Sequence, residues 1–278
     1  MRGGGGTIGG LVRACHPEPT AAVTALTSLL ALTSGRGWGT AWVALAVLSG
    51  QLSVGWANDY LDHERDRAAG RTDKPIPGGR VSPELVRYAA VVALLVAVPL
   101  SLLSGPRAAA VHLFALALAH LYNLVLKGTI VSVLPYALAF GVLPAFVTLG
   151  QGDNPHVPAP WIMAGAGLLG AAAHFTQVLP DLATDAAVGI RGLPQRLGAG
   201  GSLVAAAVML LGGSLIAALG PGRVPDQMAL LALGATWATI AAIIVAGIRR
   251  RYGAAFHLTI AAAAGALATF VLSGRGFL

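Results

Sequence analysis

Along the chain, long apolar runs alternate with short polar connections, and this rhythm overrides any shorter hydrophobic period. The runs can be drawn near 19–35, 38–57, 84–104, 107–126, 129–149, 159–179, 201–220, 227–247 and 253–273. A helix needs about 20 apolar residues to cross a hydrocarbon core. The pattern therefore predicts an all-α integral membrane protein with nine transmembrane helices. Gly-Pro at 105–106 and Lys-Gly at 127–128 mark tight turns. Run 19–35 is the weakest, being rich in Thr and Ser. Ahead of it, MRGGGGTIGGLVRACHPEP has glycines where a cleaved leader would carry its apolar stretch. Residues 1–15 are read as a flexible tail and 16–278 as a single transmembrane domain. Pro135, Pro144 and Pro180 are expected to kink or end their helices.

Composition strengthens the membrane reading. Over 278 residues, 56% are hydrophobic and 10% charged, against roughly a quarter charged in soluble domains. The single cysteine, Cys15, excludes an internal disulfide and a thiolate metal cluster. The net charge of +7 invites a nucleic-acid reading, but the basic residues are scattered over short loops without an aromatic-interleaved face. Their distribution speaks to orientation instead. With the N-terminus inside, inner segments hold 14 of the 18 Lys and Arg, and only Arg36, Arg107, Arg223 and Arg275 fall outside. Lys and Arg accumulate on cytoplasmic loops, so the N-terminus and the loops after even-numbered spans are placed in the cytoplasm of a multi-pass cell-membrane protein.

Those loops also collect the acids. Eight of the eleven, Asp59, Asp62, Glu64, Asp66, Asp73, Glu84, Asp181 and Asp185, belong to two inner connections. Asp59 and Asp181 are 122 residues apart, and Asp62 and Asp185 are 123 apart, which suggests an internal repeat about four helices long. If the second span continues as helix, Asp59, Asp62 and Asp66 fall at i, i+3 and i+7 on one face, while Asp181 and Asp185 stand at i and i+4. Like charges stacked this way repel, so something positive must sit among them. Mg²⁺ suits them, because it takes a few carboxylates, keeps several waters and completes its shell with phosphate oxygens. Arg65, Arg67, Arg71, Lys74 and Arg80 interleave the first acidic set, and metal with guanidinium points to a diphosphate. A solvated loop whose charges merely pair would explain one such cluster, not two at equivalent places.

Asn58, Asp59, Asp62 and Asp66 spell NDxxDxxxD, and Asp181 with Asp185 spells a later DxxxD. With GRTDKPIPGGRVS at 70–82 and YNLVLKGT at 122–129, the chain resembles the UbiA superfamily of intramembrane prenyltransferases over most of its length. It departs from that pattern at Val178 and Ala183, where relatives often add aspartates, at Lys74, where many have Arg, and in the five-residue step from Tyr122 to Lys127. The resemblance implies a helical bundle around a central cavity and Mg²⁺-dependent transfer of an isoprenyl group from an isoprenyl diphosphate to a lipophilic acceptor, expected to be an aromatic ring or quinone precursor, within the membrane lipid. Asp59, Asp62, Asp66, Asp181 and Asp185 would be the metal ligands. Arg67, Arg71, Lys74 and Lys127 would meet the diphosphate, and Tyr122 the phosphate or the cation. Asn58 would orient a metal-bound water or phosphate oxygen, or else cap a helix end. His174, with Gln177, shares the face of Asp181, and a helix-to-helix hydrogen bond is its plainer role; His112 and His120 are read the same way. Two other readings stay open from sequence alone: a terpene cyclase with the same ionisation, and an ion-coupled transporter, although transport sites usually lie at mid-membrane.

Overall fold

The computed structural model describes residues 4–152 and 154–274. Residues 1–3 of the expected tail, including Arg2, and Arg275 of the charge distribution lie outside the described residues. Among those described there are helices and turns and no strand: α1 Gly4–Ala14, α2 Pro17–Thr33, α3 Gly39–Ala68, α4 Pro83–Leu102, α5 Pro106–Leu121, α6 Val133–Leu149, α7 Pro160–Val178, α8 Leu182–Ala187, α9 Leu193–Leu219, α10 Gln227–Ile248 and α11 Tyr252–Ser273. Each expected span coincides with one helix, from α2 to α7 and from α9 to α11. Among the described residues seven segments are long and apolar enough to cross a membrane, whereas α2 and α6 have 17 residues each.

Local chemistry sets several boundaries. Ser82 caps α4 by accepting from the backbone N–H of Leu85 at 3.2 Å, with Pro83 in the first turn, and Asp226 caps α10 by accepting from Ala229 at 2.8 Å. Helix α3 packs on α4, α6 on α7 and α10 on α11, and α11 returns to touch α2. Two apolar cores result. Val43, Val47, Phe146 and Val147 anchor one between α2, α3, α5 and α6; Phe175, Leu179, Leu210, Ile240 and Ile243 anchor the other between α7, α9, α10 and α11. Polar groups inside the bundle bond across helices as expected: His112 Nδ1 to Ser101 Oγ at 2.7 Å, and His120 Nε2 to Ser53 Oγ at 3.2 Å.

The N-terminal stretch departs from the expected tail, since residues 4–14 are helical. Leu11 and Ala14 meet Trp56, Tyr60, Ile76, Val81 and Val86, so the helix gains apolar burial that outweighs its glycines. Trp56 Nε1 donates to the Leu11 carbonyl at 2.9 Å. The chain then presses its Cys15 carbonyl onto α3 where residue 55 has no side chain; a Cβ there would lie 2.3 Å from the Cys15 oxygen. Gly55→Ala is therefore expected to cost about 1–3 kcal/mol, seen as a lower melting temperature of the reconstituted protein. Gly234→Ala, with nothing within 4 Å of its added Cβ, should melt at or above the wild-type temperature. Equal melting of Gly55→Ala and wild type would refute this contact.

Candidate active site

A cavity of about 640 Å³ lies between the two cores. Leu26, Leu30, Leu143, Leu169 and Leu267 line its apolar part, and charged side chains gather where α3 and the segment after α7 end. Three local features deliver them. First, α3 continues through the acidic cluster to Ala68, so Asp59, Asp62 and Asp66 share a face. Second, Pro180 interrupts α7 with the 3-10 turn Leu179–Asp181, and α8 restarts behind it, carrying Asp185. Third, α5 ends in the π-helical turn Tyr122–Leu126, whose bond from Lys127 N–H to the Tyr122 carbonyl, 2.9 Å, spans five residues. That widened turn lets Tyr122 and Lys127, five apart, both line the cavity.

The acids are balanced by the chain's own cations. Asp59, only 2% exposed, has Lys74 Nζ 3.5 Å from its Oδ1. Asp62 pairs with both Lys127 and Arg65. Arg71 joins the two clusters: its NH1 donates to Asp181 Oδ1 at 2.9 Å, while Nε and NH2 fork onto Asp73 at 3.1 Å each. Asp185 accepts from Gln195 Nε2 at 2.7 Å. Asp66 has no ion-pair partner among the described residues, and Asp59 Oδ2 is shielded from solvent without a hydrogen bond. In their present positions no three His, Cys, Asp or Glu side chains among the described residues form a metal-holding group.

The electrostatics of the connecting loop follow from these contacts. The hydrogen bond from Arg71 holds the Asp73 carboxyl below the usual carboxylate range, and the same bond, aided by Asp181, raises the Arg71 guanidinium. Burial by itself would depress the Lys74 ammonium, yet Asp59, Asp181 and Asp66 keep it above its ordinary value. The loop is positioned by Ile76 and Val81 plugging against α1 and by tight backbone bonds, among them Gly78 N–H to the Lys74 carbonyl at 2.9 Å.

Most of the expected site residues therefore converge, and three readings change. Asp59 is buried and does not line the cavity, whereas Asn58, Asp62 and Asp66 on the same helix do. Arg67 lies outside the cavity, paired with exposed Glu64 at 3.5 Å, because it stands about 100° round α3 from Asp66. Arg65, three residues after Asp62, takes the inward place instead. Asn58 is not at a helix end, since α3 runs ten residues further; its Nδ2 donates to Asn123 Oδ1 at 3.1 Å, and Asn123 donates to the Val54 carbonyl. His174 bonds Ser132 Oγ at 3.1 Å, the helix-to-helix role, while Gln177 accepts from Tyr136 at 3.2 Å. Tyr122 sits edge-on between Tyr136 and His174, with centroids 5.0 and 5.4 Å away. Asn123, Gln195, Tyr136 and His16 were not selected from sequence. The i+3 spacing from Asp62 was a signal for Arg65; the others meet their partners through tertiary contacts.

A profile of the UbiA prenyltransferase family matches residues 20–269. Among curated proteins, the chain is 33% identical over 171 residues to the digeranylgeranylglyceryl phosphate synthase of Methanopyrus kandleri, a match spanning 61% of this chain and 60% of that relative's length. It is 31% identical over 206 residues to the protein of the same name from Natronomonas pharaonis, covering 72% of this chain and 73% of that one. Among solved structures, a UbiA homolog from Aeropyrum pernix K1 in apo form superposes with a TM-score of 0.75 at 20% identity, covering 92% of this chain and 98% of that one. A UbiA homolog from Archaeoglobus fulgidus bound to GPP and Mg²⁺ superposes at 0.66 with 15% identity, covering 93% and 99%.

Proposed function

Because this chain belongs to the UbiA prenyltransferase family, we propose that it is a multi-pass cell-membrane enzyme that transfers an isoprenyl group from an isoprenyl diphosphate to a lipophilic acceptor. The observation that carries the reading is the Arg71–Asp181 hydrogen bond, 2.9 Å, which ties the loop of the first acidic set to the second set over one cavity. In the proposed topology residues 16–278 form one domain of nine crossings, with the N-terminus and both acidic segments on the cytoplasmic side. The excess of inner Lys and Arg supports that orientation.

The residues fit Mg²⁺. The carboxylates of Asp62, Asp66, Asp181 and Asp185 line the cavity beside a cationic loop and are hard oxygen donors, and Asp66 has no ion-pair partner among the described residues. Asp62 and Asp66, which line the cavity, would hold one ion, and Asp181 with Asp185 another. Bound there, Mg²⁺ would neutralise charge on the departing diphosphate as a Lewis acid. Arg71, Lys74, Lys127 and Arg65 receive the diphosphate oxygens, exchanging their carboxylate partners for phosphate. The allylic C–O bond breaks, leaving a carbon cation and a diphosphate anion. The faces of Tyr122 and Tyr136 can stabilise the cation, and the apolar cavity below keeps water from capturing it. An acceptor held beside the cation forms the new bond, and its proton leaves with the diphosphate.

For the acceptor, the sequence suggested an aromatic ring or quinone precursor, whereas the curated relatives are named for a glyceryl phosphate product. A glyceryl phosphate lipid suits this chain better, because Arg13 at the cavity rim is exposed and has no ion-pair partner among the described residues. It offers a second cationic contact, for an acceptor phosphate. The test is product analysis by mass after incubating reconstituted protein with isoprenyl diphosphates of several lengths, Mg²⁺ or chelator, and either prenylated glyceryl phosphates or phenolic acids. An ether lipid formed only with Mg²⁺ is expected. A prenylated phenol as sole product would overturn the acceptor assignment, and a cyclic hydrocarbon released without acceptor would overturn transfer itself.

A further inference from the structure

The cavity has two unlike ends. At one, the acids stand at the close of α3 and just after α7; at the other, Leu30, Pro144 and Leu267 lie late in α2, α6 and α11, and Ala166 lies early in α7. One face of α7 runs from end to end, since Gln177, Ala173, Leu169 and Ala166 recur at helical spacing and all line the cavity. Behind Leu30, Pro144, Ala166, Leu169 and Leu267 lies a second cavity of about 80 Å³, lined by the same five residues and reaching Trp161 and Phe270 between α7, α9 and α11. The rings of Trp161 and Phe270 meet edge to face there, with centroids 5.8 Å apart. A wall one side chain thick therefore separates two apolar spaces. Leu169 leans across it onto α9 where residue 213 has no side chain; a Cβ there would lie 3.0 Å from Leu169 Cδ2.

The geometry points to Leu169 and Leu267 as the stop that limits the length of the isoprenyl tail, with the smaller cavity closed off behind them. This inference rests on the prenyl-transfer reading above and names the residues that select the donor. Leu169 stands twelve residues before Asp181, which is about 18 Å along the helix. An extended chain advances about 1.2 Å per bond, so an isoprene unit with its four main-chain bonds covers about 5 Å. A tail of about three to four units that starts at the acids thus ends at the wall. An apolar pocket distinguishes substrates by about 10–200-fold for a single methylene, so one blocked unit suffices for selection.

The test gives the reconstituted full chain an equimolar mixture of geranyl, farnesyl, geranylgeranyl and geranylfarnesyl diphosphates. Mg²⁺ is present with a prenylated glyceryl phosphate and a phenolic acid as acceptors, and product ratios are read by mass. Leu169→Ala opens the wall and is expected to raise geranylfarnesyl product relative to geranylgeranyl product about tenfold. Ala173→Leu brings a bulky apolar side chain one helical turn, about 6 Å, nearer the acids. It should move the preference one unit the other way, about tenfold from geranylgeranyl to farnesyl. Turnover of geranyl diphosphate alone, whose tail ends above both positions, should match wild type in each variant. Leu267→Ala repeats the lengthening from the opposite helix if Leu169→Ala fails to fold. An unchanged length profile in the folded variants would overturn the stop, because the tail would then leave sideways between helices. So would a uniform loss across all four donors, which marks a packing defect. Absence of any prenylated product from the wild-type chain would instead overturn the transfer reading.

Discussion

Asp62→Asn is expected to lower turnover by about a thousandfold or more, equivalent to about 4 kcal/mol of transition-state stabilisation. Asp62 stands at the centre of the first acidic set, paired with Lys127 from beyond the π-helical turn and with Arg65 from its own helix. The amide keeps the shape of the side chain but removes the charge, so a divalent cation loses a ligand and the diphosphate loses the order of its cationic contacts. The same change leaves Lys127 and Arg65 without their carboxylate, and breaking a largely buried pair commonly costs several kcal/mol of stability. A double variant separates the two effects. Asp62→Asn with Lys127→Met should recover much of the melting temperature while staying inactive, because an apolar replacement removes the stranded ammonium without rebuilding the site. Near-normal product formation by Asp62→Asn, at saturating Mg²⁺, would remove this residue from the proposed chemistry.

Arg71→Ala should be the next most damaging change, for a different reason. Arg71 is the hydrogen-bonded link between the first loop and Asp181, and its remaining nitrogens fork onto Asp73. Losing it frees the loop and deletes a bidentate phosphate contact. A drop of about a hundredfold in kcat/KM for the isoprenyl diphosphate is expected, or about 2.7 kcal/mol, shared between a higher KM and a lower kcat. Arg71→Lys should recover little, since a single ammonium cannot serve Asp73 and Asp181 with the planar fork that the guanidinium provides. A lysine variant with wild-type kinetics would show that charge alone suffices and that the fork is incidental.

The contrast between Arg65 and Arg67 shows how far a linear reading reaches. Both flank the same acids, and the family resemblance assigned the diphosphate contact to Arg67. Only Arg65 turns inward, because the rotation of α3 about its axis is set by which of its faces the neighbouring helices bury. The placement of Asp59, Asp62 and Asp66 along one face was legible, because helical geometry alone determines it once the helix continues. The five-residue step from Tyr122 to Lys127 looked like a departure from the family pattern, and the π-helical turn absorbs it. That turn is a backbone bond pattern with no residue signature of its own. The glycine-rich start was misread as a tail because composition weighs helix propensity, whereas burial of Leu11 and Ala14 against Trp56, Ile76 and Val81 decided the outcome.

Hydropathy and spacing by themselves determined the helical, lipid-embedded character of this protein, the positions of its long helices and the grouping of its acids. All of these depend on residues within one or two helix lengths of each other. Tertiary structure alone decided that Lys127 meets Asp62 across 65 residues, that Arg71 meets Asp181 across 110, and that His16 is turned toward Asp59. Those pairings follow from how apolar helix surfaces fit together. Because apolar side chains interchange in sequence at little cost, the pattern that encodes a span carries almost no information about which spans will touch.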